Sequence, residues 1–94
     1  MVKKKISHWY DGDSGRFADG KQFRLVGVRA PEIYQYGGQE ATRKAAAMTS
    51  RSQNIVDVRP VGVDSFGREL VQMRNQGGSV NGRLRRFGYT NKGR

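Results

Sequence analysis

The chain contains no cysteine, which excludes a disulfide framework and a thiolate zinc site together and leaves the redox compartment undetermined. Acidic residues are scarce: 8 Asp and Glu stand against 18 Lys and Arg, a formal charge of +10. Such a balance is self-repelling, and folding alone does not favour it. A polyanionic partner accounts for it; the plainer alternative is a soluble basic surface. Arg outnumbers Lys two to one, which leans toward phosphate, because guanidinium offers a planar fork of donors where ammonium offers a point charge. Long apolar runs are missing too. After the basic start from Met1 to Lys5, the segment Ile6-Ser7-His8-Trp9-Tyr10-Asp11 is too short and too polar for a signal peptide, and no segment spans a membrane as a helix. This fits a cytoplasmic protein, or an exported one without its leader.

At 94 residues the chain has room for one domain with a modest core and not for two. A single domain over 1–94 is expected, with its core at about 5–90, a loose basic tail at 91–94 and a monomeric state. Ile6 to Tyr10 reads as a first strand, and Gly15 to Val28 reads as a hairpin turning at Asp19-Gly20. Past Pro31 a loop runs through Gly38, and Gln39 to Met48 then carries Ala41, Ala45 and Met48 at helical spacing. Asn54 to Pro60 and Glu69 to Arg74 read as strands four and five, joined by a turn at Asp64-Ser65-Phe66-Gly67. Ser79 can cap a last helix with Val80, Leu84 and Phe87 on one stripe and Gly88 as its stop; Gly82 within it costs roughly 1 kcal/mol against Ala. Three strands, a helix, two strands and a helix predict a mainly β, α+β domain: a five-stranded Greek-key barrel of the OB type with two short helices.

Three segments carry chemistry. In Asp11-Gly12-Asp13-Ser14 two carboxylates flank a glycine at a strand end. A hard cation with oxygen ligands would relieve their repulsion, with the Ser14 hydroxyl nearby; an Asx turn explains the same residues without a metal. Arg24 lies in the apolar run from Phe23 to Val28, where alternation places it on the face of Val26 and Val28. A half-buried arginine needs an anion, either a structural partner such as Asp11 or Glu32 or a substrate phosphate. The turn Asp64-Ser65-Phe66-Gly67-Arg68 delivers a second arginine to the start of strand five.

Taken together and in order, these segments resemble the staphylococcal-nuclease-like (thermonuclease) family. Its pattern is Asp-Gly-Asp-Thr, Arg-Leu running into Pro-Glu, Asp-x-Tyr-Gly-Arg, and Val-Asn with a leucine three residues on. The chain offers Asp11-Gly12-Asp13-Ser14, Arg24-Leu25 with Ala30-Pro31-Glu32, Asp64-Ser65-Phe66-Gly67-Arg68, and Val80-Asn81 with Leu84. Gly38-Gln39-Glu40-Ala41 is similar to the family's helix start, so the resemblance covers roughly residues 9 to 89. It implies metal-assisted hydrolysis of phosphodiester bonds in DNA or RNA, with Ca²⁺ as the usual ion and single strands favoured. Asp13 then corresponds to a metal-ligating carboxylate and the Ala30 carbonyl to a main-chain ligand, with Asp11 and Ser14 near the ion. Glu32 corresponds to the family's general base. Arg24 and Arg68 correspond to the pair that grips the phosphate, and Phe66 stands where the family has a tyrosine near the nucleotide.

The family's second metal aspartate is replaced by Arg29. At about 5 Å and an effective dielectric near 20, a unit cation beside a divalent ion costs roughly 7 kcal/mol, although an arginine can swing into solvent. Three outcomes follow: weakened metal-dependent catalysis, a site in which Arg29 itself grips phosphate, or a catalytically weak or inactive OB-fold module that only binds nucleic acid. An interaction domain for acidic proteins has only the charge behind it. Family members also continue into a further helix that helps to close the nucleotide pocket, whereas this sequence stops at Arg94. Arg83, Arg85 and Arg86 form a basic helix face suited to phosphate tracking, and Lys3-Lys4-Lys5 reads in the same way. Of Trp9 and Tyr10, one is expected in the barrel core and either can stack on a base; His8 reads as an ordinary strand residue.

Overall fold

The computed structural model describes residues 1–90, so the expected tail at 91–94 lies outside the described residues. Its elements run β1 (Val2–Asp11), β2 (Ser14–Phe17), β3 (Gln22–Leu25), α1 (Gly38–Ser50), β4 (Ile55–Val63), β5 (Glu69–Asn75), β6 (Gly78–Ser79) and α2 (Val80–Arg86). The strands neighbour one another in the order β3-β2-β1-β4-β5-β6, and a parallel pairing of β3 with β5 closes the first five into a barrel. This is the mainly β, OB-type architecture read from the sequence. The two-residue β6 is an addition, too short to leave a periodic pattern.

β1 is longer than its apolar content suggests because it serves two walls. Val2 to Lys5 pairs with β4, whereas Ile6 to Asp11 pairs with β2, with register irregularities between Ile6 and His8 and between Trp9 and Asp11. Irregularities of this kind bend a strand and let a small barrel close. The lysine run therefore lies within a paired strand. Lys3 meets Asp57 at 3.1 Å, and Lys4 meets Asp19 at 3.1 Å and Glu69 at 3.7 Å, so these two amines have structural partners.

Inside the barrel Phe17 and Phe23 stack with centroids 4.5 Å apart, and Trp9 meets Phe23 edge-on at 5.2 Å. Of the two adjacent aromatics on β1 it is Trp9 that packs against the core, its Nε1 donating to the Thr49 hydroxyl of α1 at 3.1 Å. That bond satisfies the one polar atom of a ring that otherwise contributes apolar area. α2 begins as expected: the Ser79 hydroxyl accepts from Gly82 N at 2.9 Å, and Val80 and Leu84 are fully buried.

Two expectations need correction. Arg24 does not share a face with Val28. β3 ends at Leu25, with Phe23 and Leu25 filling the core and Arg24 directed the other way. Gly27 then adopts a left-handed φ of 75°, and this turn returns Val28 to the core out of phase with the strand. Phe87 does not join the buried stripe either. α2 stops at Arg86, and the Phe87 ring emerges 54% exposed with the Lys44 amine 4.6 Å from its centroid.

The closure of the barrel depends on Asn81, which is only 2% exposed. Its Oδ1 accepts from Met73 N at 2.9 Å, and its Nδ2 donates to Val26 O at 2.9 Å and to Val71 O at 3.1 Å. One amide thus ties α2 to β5 and to the turn after β3. Replacing it leaves buried backbone groups without partners, at about 1–3 kcal/mol for a group so orphaned. Asn81→Ala is expected to destabilise the fold by about 3 kcal/mol in urea denaturation, and a loss under about 1 kcal/mol would show that the closure does not depend on this amide.

Candidate functional site

The parallel register sets Arg24 beside Leu70. Arg68 stands in the turn just before β5, and two arginines distant in sequence thereby line the same cleft. Their surroundings differ. Arg68 is clasped by Asp64, whose Oδ2 accepts from Arg68 Nε at 2.7 Å while its Oδ1 accepts from the backbone N–H groups of Phe66 and Arg68, each at 2.9 Å. Burial alone would raise the Asp64 carboxyl; the Arg68 N–H and guanidinium and the Phe66 N–H outweigh it and hold the carboxyl below its ordinary value. The same turn exposes Phe66 to 82%, with the Arg68 guanidinium 5.5 Å from the ring centroid.

Arg24 meets Asp13 rather than Asp11 or Glu32, with Nη2 3.5 Å from Asp13 Oδ2. That oxygen also accepts from Ala30 N at 3.1 Å, which pins the segment before Pro31 to the β1–β2 turn. Gly12 makes the approach possible, since a Cβ there would lie 2.8 Å from the Cβ atoms of both Ala30 and Ala41. Asp11 closes an Asx turn: its Oδ1 accepts from Asp13 N at 3.2 Å and from the Ser14 hydroxyl at 2.7 Å. These hydrogen bonds are those of the turn reading of this segment.

Asp11, Asp13, Arg24, Arg29, Ala30 and Glu32 line one open cleft of about 1050 Å³, and Phe66 and Arg68 complete its opposite wall. Glu32 is exposed at the rim; its carboxylate, by hydrogen bonding and charge, raises the Tyr34 phenol above its ordinary value. Arg29 is held by its backbone, with N–H donating to Tyr89 O at 3.3 Å, while its side chain faces the cleft. Ser14 lies beneath the cleft, 2% exposed, and supports Asp11. Arg83 and Arg86 line a separate groove, and Arg85 extends its Nη1 to Val26 O at 3.5 Å, so the basic face of α2 is not a wall of this cleft. Sequence reasoning did not assign Asp64, Tyr34, Gln35 or Tyr89 to the site, yet all four line it. Asp64 was legible, standing four residues before Arg68 in a turn; the others are brought in by the loop after Pro31 and the segment after α2.

The chain matches no protein-family model and no curated protein. The resemblance to the nuclease family thus rests on its sequence motifs.

A divalent cation has to be accommodated by the donors present. Among the described residues no three His, Asp or Glu side chains group closely enough to hold a metal. Asp11, Asp13 and the Ala30 carbonyl would give an all-oxygen set, which suits a hard ion, but Ca²⁺ takes six to eight oxygens. Such an ion would complete its shell from water and phosphate. At Asp13, burial first, then hydrogen bonding and charge from Asp11, push the carboxyl from 3.8 up to about 7, against the opposing pull of Ala30 N–H and Arg24.

A carboxyl raised in the folded state binds a proton there that the unfolded chain has released. Its contribution therefore favours folding at low pH and is lost as pH rises from about 4 to about 7. Asp19, Glu40 and Asp64, held below their ordinary values, act in the opposite sense and weaken the fold only as pH falls below the carboxylate range. Thermal stability measured without divalent ions is expected to fall between pH 5 and pH 7, and Asp13→Asn to flatten that slope; the same slope in both proteins would assign it elsewhere.

Proposed function

We propose that the chain is a nuclease-type phosphodiesterase acting on single-stranded DNA or RNA at this cleft, in the manner the family resemblance implies. The convergence of Arg24, Arg29 and Arg68 from three separate segments onto one cleft with the buried Asp13 and the exposed Glu32 carries the reading. Binding alone needs cations, not a carboxylate at the rim and another buried in the floor.

The phosphodiester enters between Arg24 and Arg68, whose planar donors match its non-bridging oxygens. Asp64 holds the Arg68 guanidinium by a hydrogen bond and Asp13 stands 3.5 Å from that of Arg24, so reorganisation is reduced when charge builds on those oxygens. Glu32 takes the proton of the attacking water as the water oxygen bonds to phosphorus; the opposite P–O bond breaks, and the departing oxygen keeps the electron pair and takes a proton from solvent. Phe66 offers its ring to a neighbouring base. A hard cation held by Asp13, Asp11 and the Ala30 carbonyl would add charge neutralisation at the phosphate when bound.

A second reading, nucleic-acid binding without cleavage, is favoured by one observation: the position that would complete the carboxylate set holds Arg29. Incubating labelled single-stranded and duplex DNA with the protein, in Ca²⁺ and in chelator, separates the two. Calcium-dependent cleavage of single strands is expected, with Arg68→Ala and Glu32→Ala each slowing it by about 10²–10³-fold while leaving thermal stability near that of the parent. Parent-like rates in both variants would remove the assignment, and tight binding with no cleavage under any condition would leave the binding reading.

Arg29→Asp exchanges a cation for a hard oxygen ligand. It is expected to tighten Ca²⁺ in calorimetric titration and to speed cleavage at subsaturating metal. Weaker DNA binding with no gain in Ca²⁺ affinity would instead make Arg29 a phosphate ligand.

A further inference from the structure

A second groove of about 570 Å³ runs between α1 and α2. Ala47, Met48 and the half-exposed Phe87 supply its apolar surface, and Arg51, Arg83, Arg86 and Lys44 stand around it. Lys44 pairs with Glu40 at 2.9 Å, but among the described residues no carboxylate lies within ion-pair distance of Arg51, Arg83 or Arg86. Arg83 is nonetheless fixed in place: Nε donates to Ser79 O at 3.2 Å, and Nη2 donates to Asn75 Oδ1 at 2.6 Å and to Gly78 O at 3.1 Å. All three acceptors are neutral. The charge stays uncompensated, and desolvation, with repulsion from Arg86 and Arg51, lowers the Arg83 pKa from its ordinary value. Holding a cation rigidly beside two others costs stability and prepares a site for an anion.

The groove adjoins the first cleft. Lys44 Nζ sits 4.6 Å from the Phe87 centroid and 5.6 Å from that of Tyr89; Phe87 lines the groove and Tyr89 lines the cleft. A chain leaving the cleft past Tyr89 and Lys44 reaches Phe87 and then the three arginines. Alternating ring and guanidinium suits a single-stranded polynucleotide, which offers a base face and a phosphate in each repeat.

We infer that the groove between α1 and α2 binds the flanking segment of a single-stranded nucleic acid, with phosphates on Arg51, Arg83 and Arg86 and a base against Phe87. The choice of ligand rests on the reading of the first cleft as a nucleic-acid site; the need for an anion here does not. Affinity is therefore expected to depend on strand length, since a dinucleotide fills only one of the two sites while a strand of about ten nucleotides, within the range of OB-type sites, spans both.

The test uses Arg51→Glu with Arg86→Glu, both exposed and without ion pairs to lose among the described residues, beside Arg16→Glu with Arg59→Glu, which changes net charge equally away from both sites. Fluorescence anisotropy in chelator is measured with labelled oligothymidine of both lengths. The groove variant is expected to bind the longer strand at least tenfold more weakly than the control variant, with a salt slope lower by about 1.4, roughly 0.7 for each phosphate released. Dinucleotide affinity is expected to match the control. Phe87→Ala is expected to weaken the longer strand about tenfold without altering the salt slope. Equal losses in groove and control variants, or equal losses for both lengths, would overturn the inference. Binding of an acidic, aromatic-bearing peptide that the groove variant abolishes, with the longer strand unaffected, would overturn it in favour of a protein partner. Absence of cleavage in every protein with these length effects intact would defeat the catalytic reading alone.

Discussion

Three hydrogen bonds to one buried amide hold the barrel shut, and the first cleft exists only because it is shut. Asn81 links Met73, Val71 and Val26, which places the end of β3 beside β5 in the parallel register that brings Arg24 and Arg68 to one cleft. Parallel neighbours need a long crossover, so these arginines stand 44 positions apart in sequence and meet through pairing alone. The Val26 N–H donates to Val71 O at 3.0 Å, beside the Asn81 contact to the same carbonyl. Backbone and side chain thus share the closure, and a residue on α2 without a place in the cleft governs the geometry of those that have one.

Scarcity of acid shapes the rest. Asp19, Asp57, Glu40 and Glu69 answer lysines, whereas Asp13 and Asp64 answer the two arginines of the cleft. Among the described residues, no carboxylate lies within ion-pair distance of Arg51 or Arg86. Exposed ion pairs contribute little stability, so the lysine pairs do not explain the fold; burial of Phe17, Phe23, Trp9 and the β-branched residues of β4 and β5 does. The acids beside the cleft arginines serve geometry instead. Asp64 receives two backbone N–H groups and a guanidinium, and so builds the turn and aims the arginine with the same carboxylate.

The strands, both helices and the Ser79 cap were legible in sequence because each rests on local periodicity or a local hydrogen bond. So was the grouping of Asp11, Asp13, Arg24, Glu32 and Arg68, although only through motif order; their meeting in space needs the β3–β5 register, which no local pattern carries. The direction of Arg24 was misread because alternation was carried across Gly27, where a left-handed residue breaks the phase. Phe87 was misread because a helical stripe was continued past the end of its helix. The placement of Arg83 and Arg86 in a separate groove depends on how α2 packs against α1, and spacing along α2 alone does not contain it.

The floor of the cleft sets a limit on how stable the domain can be. Asp13 is buried beside Asp11, in an environment that disfavours its charge and pushes the carboxyl up to about 7. Asparagine would remove this cost, keep an acceptor for Ala30 N–H and relieve the repulsion, yet it would also remove the anion that fixes Arg24. The cost falls when positive charge arrives, whether as a bound cation or as a fuller contact with Arg24. Ligand binding and folding are then linked through one carboxyl: a cation that stabilises the charged form of Asp13 favours the state that accepts most strongly from Ala30 N–H, and with it the loop that carries Glu32 to the rim.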